Sequence, residues 1–129
     1  MILKIKRDER GLATIEMAFA LPILLLFIYG IFQVGMIMAA SAGMQHALGE
    51  GARLATIYPT PTDTAIKTRI NDKLFGAYVG QFTVADPVAD ATGKSYKDLS
   101  VTYTVTPNYL FFTAPAVTLV RSKRVYLSF

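Results

Sequence analysis

Glu16 is the residue whose type and position most need a chemical explanation. It stands at the head of residues 17–49, which contain no Asp, Glu, Lys or Arg. A carboxylate at the edge of so long an apolar run is costly unless it is paired or held at a lipid headgroup boundary, so its chemistry is charge pairing or a seat among lipid polar groups. Gly11 precedes it by five residues and closes a short basic leader. Other chemistry is thinly supplied. With no cysteine there is no thiolate nucleophile or disulfide, and the lone His46 cannot build a Ser/His/Asp or multi-histidine site alone. Asp86, Asp90 and Asp98 could offer oxygens to a hard cation. They lack the dense alternation of a calcium loop and read as solvated loop acids. No Gly-rich phosphate loop follows a strand. No catalytic residue, cofactor site or metal site is expected.

The elements that position Glu16 follow from composition. Residues 1–11 carry four basic and two acidic side chains, and residues 12–129 carry nine and seven. The basic excess is therefore spread along the chain, whereas nucleic-acid binding wants a concentrated basic stripe. Neither a nucleic acid nor a small-molecule substrate is expected as a partner. Three regions emerge: a charged leader at 1–11, an apolar helix at 12–57 and a punctuated extracytoplasmic domain at 58–129. The apolar run far exceeds the ~20 residues that cross a bilayer, so the helix should enter membrane lipid and project beyond it. The basic leader keeps the N-terminus cytoplasmic and sends the domain across. Arg53, the first basic residue past the run, is expected to mark the outer interface, and His46 the membrane edge.

Within the helix, Gly35, Ala39, Gly43, Ala47, Gly51 and Ala55 recur every four positions, a ridge that lets a second helix approach closely. Pro22 lacks an amide hydrogen and is expected to kink or loosen the helix near Ala18.

In the outer domain Thr60, Pro61 and Asp63 predict a helix start, with Thr60 as N-cap and proline at the first turn. Ile66, Ile70 and Leu74 recur at spacing four, predicting a helix over 61–75 that Gly76 or Gly80 ends. The period then becomes two. Phe82 and Val84 predict one strand, Val101, Tyr103 and Val105 a second, and Val117 and Leu119 with Val125, Leu127 and Phe129 another, with a loop over 86–97. The fold class is α+β: a long transmembrane helix, then a short helix packed on a three-stranded antiparallel sheet whose threonine face stays wet. Tyr109 to Phe112 is expected to fill core under the sheet, with partner or membrane contact as the other reading.

A basic leader, a glycine, four residues, a glutamate and a long apolar helix resemble a type IV prepilin. The run ATIEMAFALPILLLFIYGIFQVG followed by GEGARLA is similar to the TadE-like pseudopilins of the tight-adherence pilus system, over residues 10–56 and more loosely over VTLVRSKRVYL. Such pilins usually place an aromatic residue after the glutamate, where this chain has Met17. The resemblance implies cleavage between Gly11 and Leu12 by a membrane prepilin peptidase. Leu12 then supplies a new α-amine, and Glu16 meets the amine of a neighbouring subunit, setting axial register. Implied partners are that peptidase, other pilin or pseudopilin subunits through the N-terminal helix, and inner-membrane lipid. Implied locations are the bacterial inner membrane, with the domain periplasmic, or the extracellular pilus. One rival is a single-pass anchor for a binding or sensor domain that does not polymerise. The other, a secreted protein with a signal peptide, fits poorly because that apolar region is only ~7–15 residues long.

Overall fold

Because nothing charged interrupts residues 17–49, one helix forms: α1, Glu9–Ala55, in a computed structural model that describes residues 9–91, 95–109 and 112–127. Most of the predicted leader, and Phe129, lie outside the described residues. After α1 come α2 (Asp63–Lys73), β1 (Gln81–Val84), β2 (Val88–Ala89), β3 (Tyr96–Val105), β4 (Asn108–Tyr109), β5 (Phe112–Thr113) and β6 (Val117–Tyr126). The α+β class is as expected.

β3 is the centre of the sheet. β6 pairs along its whole length, from Tyr96↔Tyr126 to Val105↔Val117, while β1 and β2 share its other edge, all antiparallel. The segment expected to be loop therefore holds β2 and the first two residues of β3, which makes the sheet four-stranded rather than three-stranded, and the last two expected hydrophobic clusters belong to one strand. Leu99, Val101, Tyr103 and Val105 point inward and are buried; Thr104 points out and is exposed. A small separate ladder joins β4 to β5.

The core lies between this sheet, α2 and only the C-terminal half of α1. Ala40, Met44, Ala47, Leu48, Ala52 and Ala55 meet Ile66 and Ile70 and the inward strand residues. Two backbones touch where side chains are missing. A Cβ at Gly43 would overlap the Phe75 carbonyl oxygen, and Gly76, at φ +87°, would place its own 2.8 Å from the Ala39 carbonyl. At Gly51 the Ile70 side chain occupies the space of the absent Cβ.

Two boundaries differ from expectation. The N-cap of α2 is Thr62, not Thr60; its hydroxyl accepts from the Ala65 amide. Asp63 thus opens the helix, where its charge suits the dipole, and receives the largely buried Lys97 ammonium at 2.5 Å. The helix ends at Lys73 rather than at a glycine, because Leu74 turns extended and carries Phe75 and Gly76 across to α1.

A methyl group forced between two backbones has no rotamer in which to escape, and overpacking of this kind costs ~1–3 kcal/mol. Gly43→Ala should lower the thermal midpoint of the detergent-solubilised chain by several degrees, followed by circular dichroism. Gly35→Ala, with nothing within 4 Å, should leave it unchanged; equal midpoints for both variants would contradict this packing.

Candidate assembly surface on the N-terminal helix

The N-terminal half of α1 receives no cover from the domain. Residues 11–25 are exposed without exception, including Gly11, Leu12, Glu16 and Pro22, as are Phe19, Phe27 and Ile31. The most apolar window of this helix is only 11% buried. A core helix of a water-soluble protein of this composition would be covered. This one is long and apolar enough to cross a membrane, and it presents its apolar surface outward.

Leu12 and Glu16 are four residues apart and so share one face of the helix, ~6 Å apart along its axis. Among the described residues no ion pair holds Glu16. The helix runs unbroken through Pro22, whose ring nitrogen offers no hydrogen to the Ala18 carbonyl.

The small-residue ridge divides. Gly35 is exposed and Ala39 half-buried, whereas Gly43, Ala47, Gly51 and Ala55 are buried. The second helix that approaches at Gly51 is the chain's own α2, and the loop after α2 crosses at Ala39 and Gly43. Only the Gly35 end remains open to another molecule.

Several residues stand elsewhere than expected. Tyr109 does not fill core under the sheet. It is half-buried against α1, with its ring edge-on to Tyr29 at 6.2 Å and stacked on Phe112 at 4.9 Å, and Phe112 is 58% exposed. The strand register explains this. β3 and β6 end at Val105 and Val117, so the chain between them runs past the sheet and down the helix. Arg53 sits exposed in the last turn of α1 and pairs with Glu50 at 3.2 Å. His46 is exposed, its ring against Phe75. Asp86 pairs with Lys67, Asp98 takes a two-pronged contact from Arg124, and Asp90 accepts from the Ser95 amide.

Sequence reasoning missed the polar fasteners between helix and domain. Gln33 is buried and its Nε2 donates to the Asn108 carbonyl; Arg121 donates twice to Ser41 Oγ; Arg69 reaches Glu50 at 2.7 Å. Gln33 did leave a signal, as the one side-chain amide in residues 17–44.

The guanidiniums of Arg53 and Arg69 hold the Glu50 carboxyl down from its ordinary 4.5 to about 2. Asp98 is likewise lowered by Arg124, whose own value rises in response. A depressed carboxylate contributes stability above its ordinary value and loses it as pH falls toward the folded value. Melting of the full chain should therefore weaken as pH drops from about 4.5 toward about 2. In Glu50→Gln that acid-side slope should flatten, leaving the part due to Asp98; an unchanged slope would show that the clamp contributes nothing.

Comparison with known proteins adds one finding. A family model described as TadE-like protein matches residues 11–53. The match begins at Gly11 and ends at Arg53, so it coincides with nearly all of α1 and leaves out α2 and the sheet. No curated protein and no solved structure matches the chain. Over residues 11–53, the stretch that holds Gly11, Glu16 and most of the small-residue ridge, this chain is similar to TadE-like proteins.

Proposed function

We propose that the chain is a pseudopilin or minor pilin that acts in assembling a tight-adherence type IV pilus, as a structural subunit and not as an enzyme. The observation that carries this reading is the TadE-like match starting at Gly11, on a helix whose first half is apolar and left uncovered. A membrane prepilin peptidase cuts between Gly11 and Leu12. The new α-amine of one subunit then pairs with Glu16 of the next. Each charge is tolerable in an apolar setting only with its partner, and loss of one leaves the other uncompensated. The pair therefore fixes how far adjacent helices slide past one another, while the bulky faces around Phe19 and Phe27 supply contact area without direction. The open end of the ridge at Gly35 supports close approach of a neighbour.

In this reading the subunit resides in the bacterial inner membrane, domain outward, before it joins or primes the filament. The non-polymerising anchor shares the uncovered helix but gives Gly11 and Glu16 no task.

Two substitutions test the reading. Gly11→Leu should leave the protein heavier than mature wild type by the mass of the leader, and mass spectrometry of wild type should start at Leu12. An intact Met1 start would return the chain to a plain tethered domain. Glu16→Ala should be processed normally yet abolish pili in electron micrographs of the producing cells; normal pili would refute the register role.

A further inference from the structure

We infer that the base of the domain is itself a membrane-contacting surface, seated in the outer lipid interface around α1. The inference rests on α1 crossing a bilayer and not on polymerisation.

The charge distribution carries it. Beyond the helix, residues 74–85 and 99–120 contain no Asp, Glu, Lys or Arg, and the fold brings both segments to the same end of the domain. Level along α1 is read from contacts. Glu50 meets Arg69 high on the helix, Arg121 meets Ser41 lower, Gly76 crosses at Ala39, Asn108 meets Gln33, and Tyr109 meets Tyr29. The charged side chains that tie the domain to α1 do so at Ser41 and Glu50, through Arg121 and Arg69. From Glu16 to Ser41 the axis rises about 37 Å, against ~30 Å of hydrocarbon and ~40–45 Å with headgroups. A bilayer whose inner boundary lies near Glu16 therefore ends within the span of α1 that the base of the domain surrounds.

The side chains at that level are of the kind that settle in interfaces. Two apolar grooves flank α1 there, one walled by Tyr109 and Phe112 and the other by Tyr78 and Val79. Tyr78 is 71% exposed and Phe112 58%. Aromatic side chains with one polar edge favour the headgroup level. Backbone at that depth must satisfy its own polar groups, and among the described residues of this hairpin β4 and β5 pair, the Ala114 amide donates to the Pro107 carbonyl, and Gln33 donates to the Asn108 carbonyl. Exposed Tyr58 lies at the opposite end of the domain, in a charge-free turn between Arg53 and Asp63, and serves as the internal control.

The chain has no tryptophan, so single reporters are unambiguous. Full-length Phe27→Trp, Tyr78→Trp, Phe112→Trp and Tyr58→Trp would be reconstituted in phosphatidylcholine vesicles without bromine, with bromine near the glycerol end of the acyl chains, or, for position 27 about 16 Å above Glu16 and so near the bilayer midplane, with bromine near their methyl end. Tryptophan at 78 and at 112 should be quenched at least about twofold more than at 58, with bluer emission, as expected of interfacial aromatics. Quenching at 78 and 112 no greater than at 58, while 27 is quenched, would overturn the inference. Blue emission at 112 without quenching would also overturn it, since a second copy of the chain rather than lipid would then cover the hairpin. Absence of quenching at 27 would remove the bilayer span and the inference together.

Discussion

One helix in this protein is left bare along its first half and buried along its second, and the level at which its surface passes from one to the other governs the rest of the structure. Below that level α1 is bulky and uncovered, as lipid or neighbouring helices require. Above it, the same helix is made of Ala and Gly and is covered by its own domain. The change is steric as much as hydrophobic. Gly43 and Gly51 remove the atoms that would hold α2 and its following loop away, so backbone meets backbone and the helix becomes part of the domain core. An apolar surface without those gaps would still be sticky, but it could not be approached so closely.

Polar groups are sorted along the same axis. Ion pairs lie at the far end, where Glu50, Arg53 and Arg69 tie α1 to α2, and Asp63 meets Lys97. Toward the N-terminal end hydrogen bonds replace them: the Arg121 guanidinium on the Ser41 hydroxyl, then the uncharged Gln33 amide on a backbone carbonyl. Neutral hydrogen bonds cost far less to dehydrate than charges do.

The two ends of α1 are consequently independent. The Gly11 to Glu16 segment lies well below Tyr29, where the Tyr109 ring meets α1, so how the sheet packs leaves it uncovered. The family match covers α1 and stops at Arg53, as expected if the helix carries the shared task and the outer domain carries whatever is particular to this chain.

The sequence by itself determined what depends on near neighbours. An uncharged run gives a long helix; Ile66 and Ile70 at spacing four give α2 its buried face; alternation from Leu99 to Val105 gives β3 its two faces. The spacing of Gly11 and Glu16 was legible for the same reason. Only the tertiary structure decided what depends on distant partners. Thr62 displaced Thr60 as N-cap, with the next residue, Asp63, held by Lys97 of β3. Tyr109 left the core because β3 and β6 fix where the chain emerges. The second helix that the ridge admits is, at Gly51, the chain's own α2, and the loop after it crosses at Gly43. Gln33 with Asn108 and Ser41 with Arg121 lie 75 and 80 residues apart, and no local periodicity carries information across such separations; only the closed fold brings those atoms together.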